Sequence, residues 1–575
     1  MCGHCGLTVP VGPAAGEIGP RSGGADHPES STVLRGGAVY TLDPDHPWAS
    51  AVAVRGDRII AVGSDDEATA AGGPDARVIE LDGRMVLPGF VEGHIHPLLG
   101  ALITAGPDLQ LPALEDVLST LADYVAQNPS GVVRGFGWRM DMFGPDGPHR
   151  EALDAVLPDR PALLVAIDGH SMWVNSETLR MAGITADTPD PVPGFSYFGR
   201  DDDGRPTGFV LEAPAMLAVL GAVEPLSPAI LAEKFAVWSG KAAAAGITAI
   251  FDAGMPPSEG DPDGLVTIYT RLEAQGLLPF RVVVSHLVKD TPVDGAVDAT
   301  VRLAERLDGD LVGGGVLKIV GDGTLEGHTG YLLEPYADKP DSIGQSPFTE
   351  EQWHALIAEA DAAGLDVHVH AIGDRTTRIA LDAFEAAFAA NPPRDRRHTI
   401  AHLEVVDDAD LPRFRKLGLI AQFSANWLAA DPSNEGTTRQ RCGEDRYRTI
   451  YRPRILADDG VTIAFGTDWP AASWFSTYKP LDAIEISVTR QSVGSPDMPV
   501  LEPAGERLDL AQALHAATLG PARQLRLDHL VGSLQPGKRA DLVVLEHNLF
   551  DVEPHRIAAT AVEMTMMNGR FTHGG

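Results

Sequence analysis

Cysteine is scarce in this chain, whose 575 residues include only Cys2, Cys5 and Cys442. Three thiols are too few for a disulfide framework in a chain of this length, which favours a reducing compartment. The motif Cys2-Gly-His-Cys5 has the spacing of half a zinc knuckle, but no second pair lies near enough in the sequence to complete a tetrahedral site. We therefore expect no functional metal at this motif.

Basic residues are also few, with 45 Lys and Arg against 80 Asp and Glu, and the formal net charge is -35. An acidic balance of this size repels phosphate backbones and anionic lipid, so nucleic acid and membrane surfaces are not expected partners. No stretch has the roughly 20 apolar residues of a membrane span, and no basic start followed by an apolar run indicates a signal peptide. We expect a cytoplasmic protein that acts on a small molecule, with a homodimer left open.

The length predicts two domains, one of them large, and the apolar fraction of 44% is that of an ordinary soluble protein. Residues 1–31 are rich in Gly, Pro and Ser without periodicity, and we interpret them as a disordered tail. Short β-runs follow in 32–86 and return in 532–575. We expect these two terminal segments to pair into one small β-sandwich.

Between the terminal segments, apolar β-runs alternate with helical stretches, which indicates a parallel sheet with helical crossovers. The eight predicted strands lie in 85–96, 247–252, 280–285, 315–320, 365–370, 399–402, 419–424 and 461–466. Eight alternating units predict an α/β fold of the (β/α)8 or TIM-barrel type over 87–531, with its chemistry at the C-terminal ends of the strands.

The interval between the first two predicted strands is too long for one helix, which predicts an inserted subdomain or lid at 105–240. Its segment 168–175 brings His, Trp and Asn together, and we expect this segment to lie over the barrel mouth. We expect His170 to take part in catalysis and Trp138, Trp173 and Asn175 to bind substrate. The alternative interpretation places Trp173 in the core of the insert and His170 on its surface.

Two histidines separated by one residue end the first predicted strand. Side chains at i and i+2 of a strand share a face, so His94 and His96 can present two imidazoles to one ion. Neutral imidazoles at a rigid strand end suit zinc or a similar first-row metal. A histidine packed beneath a loop is the alternative interpretation of either residue alone.

Further candidate ligands stand at the ends of other predicted strands. They are Lys318 on strand four, His370 on strand five with His368 two residues earlier, His402 on strand six and Asp468 after strand eight. Because a barrel brings all these ends to one mouth, together they indicate a metal centre. A lysine buried there must be neutral, paired or modified, and a carbamate of Lys318 could bridge two cations.

The chain resembles the amidohydrolase superfamily, and most closely its YtcJ-like branch, which includes N-substituted formamide deformylases. The resemblance extends from about residue 33 to 569. Its motifs are Leu87-Pro-Gly-Phe-Val-Glu-Gly-His-Ile-His96, Asp168-Gly-His-Ser-Met-Trp-Val-Asn-Ser176, Lys318-Ile-Val-Gly-Asp-Gly323, His370-Ala-Ile-Gly-Asp374, Gly466-Thr-Asp468 and Gly537-Lys-Arg-Ala-Asp-Leu-Val-Val544.

The resemblance implies metal ligands at His94, His96, His370 and His402, with Asp468 as both ligand and proton carrier. It also implies Lys318 as the site of a carbamate, and zinc, as one or two ions, is the expected metal. His368 occupies a position that the family leaves variable, so His370 ranks first as the ligand from strand five.

The chain departs from the family pattern at three positions. Glu92 stands where the family usually has Asp, and Ala401 stands where an acidic residue usually precedes the strand-six histidine. His328 replaces an arginine in the loop after strand four, and we expect it to bind substrate. The first two departures indicate altered support of the ligands, and the third indicates an altered substrate specificity.

A divalent metal lowers the pKa of bound water towards about 7, which gives hydroxide at neutral pH. With Asp468 as proton carrier, these features predict hydrolysis of an amide, an N-substituted formamide or a carbamate. His170 or His328 would help to stabilise the oxyanion. A deaminase and an ester or lactone hydrolase are alternatives on the same scaffold. A barrel without catalysis that serves in binding or assembly is the alternative from another class.

Overall fold

The computed structural model describes residues 30–143, 147–193, 196–224, 227–254, 265–289, 291–307, 309–472 and 474–575. The motif Cys2-Gly-His-Cys5 and nearly all of the tail expected at 1–31 therefore lie outside the described residues.

The first described segment forms short strands and one helix. They are β1 (Ser31–Arg35), β2 (Ala38–Tyr40), β3 (Trp48–Ala49), β4 (Ala51–Arg55), β5 (Arg58–Gly63), α1 (Asp65–Gly72), β6 (Arg77–Glu80) and β7 (Met85–Pro88). Helix α1 begins at a capping box, in which the Ser64 hydroxyl accepts from the Glu67 amide and Glu67 accepts from the Ser64 amide. Four of the strands make a sheet in the order β5-β4-β1-β6.

Strand β8 (Phe90–Ile95) opens the barrel, and a long insertion follows it. The elements after it are α2 (Pro97–Ile103), α3 (Leu114–Gln127), β9 (Val133–Trp138), α4 (Arg150–Asp154), β10 (Ala162–Ala166), β11 (Ser171–Val174), α5 (Ser176–Ala182), β12 (Tyr197–Arg200), β13 (Pro206–Leu211), α6 (Glu212–Val223) and α7 (Pro228–Ala244). The five strands of the insertion form their own sheet in the order β12-β13-β11-β10-β9, with apolar clusters on its two sides.

The barrel continues after α7 with alternating strands and helices. They are β14 (Ile247–Asp252), α8 (Val266–Ala274), β15 (Arg281–Val288), α9 (Ala296–Arg306), β16 (Val312–Val320), α10 (Glu350–Ala362), β17 (Asp366–Ala371), α11 (Asp374–Ala390), β18 (Thr399–His402), α12 (Leu411–Leu417), β19 (Ile420–Ser424), α13 (Arg439–Cys442), α14 (Glu444–Tyr447), α15 (Pro453–Asp458), β20 (Ile463–Gly466), α16 (Pro480–Thr489), α17 (Leu510–Ala516) and α18 (Leu519–Gln524).

Eight parallel strands make one sheet in the order β20-β19-β18-β17-β16-β15-β14-β8. Their side chains are largely Val, Ile, Ala and Phe, because helices cover the outside of a parallel sheet and leave both of its faces buried. The two edge strands approach each other, since the Asp468 amide donates to the His94 carbonyl at 2.7 Å and the His96 amide donates to the Trp469 carbonyl at 2.9 Å. The predicted barrel is thereby confirmed. Seven of the predicted strands overlap single observed strands, while the first, predicted over 85–96, is divided at Gly89 into β7 of the terminal sandwich and β8 of the barrel.

The chain ends in β21 (Leu542–Leu545), β22 (Val562–Met567) and β23 (Arg570–His573). Strand β21 pairs antiparallel with β7, from Leu542 opposite Pro88 to Leu545 opposite Met85, so both termini share the sheet β23-β22-β21-β7-β2-β3. One apolar cluster joins this sheet to the four-stranded one, with Leu34 and Val52 packed with Val86, Val544 and Met566. The predicted composite sandwich is confirmed, while the exact domain boundaries stay a prediction.

Within the described part of the chain, no single helix has the length and apolar character needed to cross a membrane. One sharply bent pair of helices, 214–223 with 228–244, meets that test by length and composition when the two are taken together.

Candidate metal centre

The tip of β8 and the residue after β20 bring two histidines to one carboxylate. Asp468 Oδ1 lies 3.3 Å from His94 Nε2 and 3.1 Å from His96 Nε2. Two glycines allow this approach, because neither has a Cβ. A Cβ at Gly466 would lie 2.4 Å from the backbone nitrogen of His94, and a Cβ at Gly93 would lie 2.6 Å from the carbonyl oxygen of Phe465. The strands can therefore meet closely enough for all three side chains to face one point.

His402, at the end of β18, completes a buried group with His94 and Asp468. One potential ligand atom from each residue lies within 4.8 Å of the others, the one such group of three found among the described residues. His402 Nε2 and Asp468 Oδ1 are both buried, and neither makes a hydrogen bond of acceptable geometry to any described residue. Unpaired polar atoms are costly inside a protein, so this donor set fits a divalent cation. Two imidazoles and a carboxylate are the ligands that zinc takes.

Hydrogen bonds hold the imidazoles with one nitrogen directed to the centre. His402 Nδ1 lies 3.1 Å from Ser424 Oγ, and His96 Nδ1 lies 3.1 Å from the Gly254 carbonyl. In both rings Nε2 is left as the potential ligand. Burial lowers the pKa of His402 and His94 well below the ordinary value, which keeps both imidazoles neutral. Burial opposes a proton on His96 too, but the Asp468 carboxylate, 3.1 Å from its Nε2, raises the pKa of His96 overall.

The two histidines of β17 occupy different levels of the barrel. His368 Nε2 lies 3.0 Å from His94 Nδ1, so His368 orients His94 and leaves His94 Nε2 facing Asp468. The His370 ring lies 4.4 Å from the His402 ring, and its Nε2 faces the Gly323 carbonyl at 3.3 Å. If Nε2 carries the proton, Nδ1 is the nitrogen that His370 offers to a metal.

Lys318 lies among the four histidines His94, His368, His370 and His402. Its side chain is fully buried, and Nζ is 3.3 Å from His94 Nε2. Burial lowers the pKa of Lys318 to about 7. The lowered pKa favours the neutral amine, which is the form that reacts with carbon dioxide.

Glu92, the first departure from the family pattern, supports the ligands through their backbones. Its Oε1 accepts from the Thr467 amide at 2.7 Å and from the His94 amide at 3.2 Å, which ties β8 to the segment carrying Asp468. Burial raises the pKa of Glu92 to about 8. Ala401, the second departure, is fully buried and pairs in register with His370.

Asp322 fixes the loop that follows His370. It accepts from the amides of Ile372 and Gly373, at 3.0 and 2.9 Å, and from the Thr376 hydroxyl at 2.8 Å. Its Oδ1 is also 3.6 Å from His370 Nε2. Burial raises the pKa of Asp322 to about 6 in spite of these hydrogen bonds. Asp322 thus orders both the start of α11 and the ring of His370.

The structure does not bring the other predicted substrate-binding residues to the centre. Trp138 and Trp173 are fully buried in the insert and donate their indole N–H groups to Leu164 and His149 carbonyls. Asn175 is fully buried and caps α5 by accepting from the Thr178 amide. We correct the substrate-binding prediction for these three residues, because their side chains are buried in the insert and hydrogen-bonded within it.

The two remaining predicted residues are histidines paired with carboxylates outside the centre. His170 is half exposed on the insert, and its Nδ1 lies 3.2 Å from Glu212. His328 follows β16 and lies 3.0 Å from Asp338. These pairings support the surface interpretation of His170, and the oxyanion role of either histidine stays a prediction.

Four residues at the centre were missed by sequence reasoning. Gln524 donates from Nε2 to the Gly93 carbonyl at 2.7 Å, Ser424 contacts His402, and Thr467 donates its amide to Glu92. The Trp427 ring stacks on the His402 ring, with centroids 5.2 Å apart and planes at 14°. Ser424, Trp427 and Thr467 all lie at or just after the C-terminal ends of strands, the signal that could have indicated them.

Comparison with known proteins agrees with this geometry. The family model described as "Amidohydrolase family" matches residues 77–573. The chain belongs to the amidohydrolase family. Membership confirms the predicted resemblance and the prediction that the chain is an amidohydrolase.

Relatives of this amidohydrolase match it over nearly its whole length. It is 30% identical over 551 residues to the putative amidohydrolase YtcJ of Bacillus subtilis (strain 168), covering 94% of this chain and 99% of that protein. It is 27% identical over 547 residues to N-substituted formamide deformylase of Arthrobacter pascens, covering 92% and 96%. A crystal structure of an uncharacterized metal-dependent hydrolase from Pyrococcus horikoshii OT3 has the same fold, with a TM-score of 0.70, 23% identity, and coverage of 91% and 99%.

Proposed function

We propose that this amidohydrolase cleaves the C–N bond of an acyl amide, an N-substituted formamide or a carbamate, with zinc as its metal. The observation that carries the proposal is the buried group of His94, His402 and Asp468, in which His402 Nε2 makes no hydrogen bond to a described residue and Asp468 Oδ1 lies 3.3 and 3.1 Å from the Nε2 atoms of His94 and His96. The formamide option takes support from the name of the Arthrobacter relative. We also propose His96 and His370 as ligands, because His96 Nε2 lies 3.1 Å from Asp468 Oδ1 and the His370 ring lies 4.4 Å from the His402 ring.

The reaction needs a nucleophile, a proton carrier and an ordered acyl group. A bound divalent metal supplies the electrostatic part, since it lowers the pKa of water and polarises a carbonyl. Asp468 Oδ1 accepts the proton of the water that attacks the acyl carbon, as its position between the two β8 histidines allows. As the C–N bond breaks, Asp468 returns this proton to the leaving nitrogen. The products are an acid and an amine.

Asp468 does not move freely between these two steps. Its amide donates to the His94 carbonyl at 2.7 Å, and the Thr467 amide before it is held by Glu92. The backbone of Asp468 has a positive φ of 56°, a conformation that costs energy for a residue with a side chain. The fixed backbone places the carboxylate at the ligand nitrogens, and this is the physical reason for assigning it the proton transfer.

The test is a panel of N-alkyl formamides, acyl amides and carbamates offered to zinc-loaded protein, with amine and ammonia measured separately. We expect release of an amine, and we expect Asp468→Asn to retain zinc while its turnover falls by about 10³-fold or more. Asp482→Asn is the matched control, because that buried carboxylate bonds to Thr477 outside the centre. Release of ammonia without a carboxylic acid product would indicate a deaminase. Near-normal turnover by Asp468→Asn would remove its proposed role.

A further inference from the structure

The end of β19 and the single helical turn that follows it, Ala425–Trp427, each contact His402. Ser424, the last residue of β19, lies at the edge of the ring, 3.1 Å from Nδ1. Trp427 covers a face of the same ring, at 5.2 Å and 14°. Parallel aromatic rings at this separation attract each other and restrict one another's rotation. The ring plane of His402 is therefore set from its edge and from one face.

Two polar atoms of this turn are buried without a partner. The indole N–H of Trp427 donates to none of the described residues, and Oδ1 of Asn426 accepts from none of them. Asn426 is 2% exposed, and its Nδ2 donates to the Phe475 carbonyl at 3.2 Å, which fixes the orientation of the amide. A ligand with a complementary acceptor and donor would satisfy this buried donor and buried acceptor in adjacent residues.

We propose that Trp427 is a positioning residue for His402, and that Trp427 Nε1 and Asn426 Oδ1 together recognise a secondary amide. The carbonyl of such an amide accepts from the indole N–H, and its N–H donates to Asn426. This proposal rests on the proposed function, because it concerns the acyl group that the centre would cleave. An ester of the same shape has the carbonyl but no N–H, so Asn426 selects the amide.

Metal binding by the metal-free protein tests the positioning part without any substrate. In a titration with Co²⁺ followed by absorption, we expect Trp427→Ala to bind about 10-fold more weakly than the unmodified protein, as for other groups that orient a ligand. Trp427→Phe, which keeps a stacked ring, should bind nearly as tightly. Trp48→Ala is the control, because Trp48 is 46% exposed on the terminal sheet. Unchanged affinity in Trp427→Ala would overturn the positioning role.

A matched amide and ester pair, hydrolysed by the zinc-loaded protein, tests recognition. Loss of one hydrogen bond changes kcat/KM by about 3- to 10-fold. We expect Trp427→Phe to reduce it for both substrates and Asn426→Leu to reduce it for the amide alone. Asn426→Asp, which keeps the acceptor and loses the bond to Phe475, should retain the preference for the amide.

The outcomes separate the two proposals. An equal effect of Asn426→Leu on amide and ester, or no effect of Trp427→Phe on either, would overturn recognition while leaving the hydrolase intact. If the unmodified protein hydrolyses neither this pair nor any member of the amide, formamide and carbamate panel, the proposed function fails and recognition fails with it. The cobalt titration still decides the positioning role in that case.

Discussion

Replacing Glu92 tests how the two ligand-bearing segments are held together. In Glu92→Leu, the amides of His94 and Thr467 lose their shared acceptor inside the barrel. Each unpaired buried N–H costs about 1–3 kcal/mol, so the free energy of unfolding should fall by about 2–6 kcal/mol. Glu92→Gln keeps an oxygen at the same place and should cost less than about 1 kcal/mol at pH 6. The assay is the urea midpoint of metal-free protein.

The pH dependence of the free energy of unfolding, compared between Glu92→Gln and the unmodified protein, shows which protonation state of Glu92 the fold favours. The pKa of Glu92 is raised from 4.5 to about 8 in the fold because burial disfavours its charged form. The protonated form is thus favoured on folding, so no stability is lost below pH 4.5, and stability falls as pH rises to about 8. The rise of the pKa from 4.5 to about 8 corresponds to a loss of at most about 5 kcal/mol in the free energy of unfolding. Glu92→Gln, which does not titrate, should become more stable than the unmodified protein as the pH increases from 5 to 8. The reasoning is refuted if Glu92→Leu matches Glu92→Gln, or if their difference from the unmodified protein does not change with pH.

Three further predictions follow from other parts of the molecule. Trp173→Ala should destabilise the insert by about 3–5 kcal/mol, and a changed KM with an unchanged melting temperature would restore its predicted role at the substrate. Asp361→Asn should lower the free energy of unfolding by about 3–5 kcal/mol, because the buried Asp361 lies 3.2 Å from His398 and 2.8 Å from Arg396. These bonds lower the pKa of Asp361 despite its burial, so the stability that Asp361 contributes should be present above pH 3.8 and lost below it. If the variant and the unmodified protein unfold at the same acid pH, this prediction is contradicted. A carbamate on Lys318 predicts two metal ions per chain in bicarbonate buffer and one in Lys318→Met, and equal metal content would exclude a bridge.

The barrel could be predicted from sequence because its strands carry local signals. Each strand is an apolar run between turn residues, and the ends of parallel strands meet at one edge of the barrel whatever the loops do. That rule alone predicts that His94, His402 and Asp468 lie close together in the fold. The terminal sandwich was predictable for the same reason, since its short strands alternate with Gly and Asp turns.

The remaining features depend on contacts between distant residues, which periodicity does not encode. Trp173 sits in a motif with His170 and Asn175, and nothing local indicates that its indole faces the core of the insert. The contact of His368 with His94 depends on the depth of each residue in the barrel. The stacking of Trp427 on His402 depends on the path of a loop. Glu92 supports the ligands through backbone amides, and one of these, the amide of Thr467, is 375 residues away in the sequence.

The most direct measurement is anomalous diffraction from crystals of the zinc-loaded protein, with data collected on both sides of the zinc absorption edge. We predict a zinc peak about 2.0–2.2 Å from His402 Nε2 and Asp468 Oδ1, with His94 Nε2 facing the same ion. A zinc peak elsewhere, or no zinc peak at all, would contradict a metal centre at the ends of these strands.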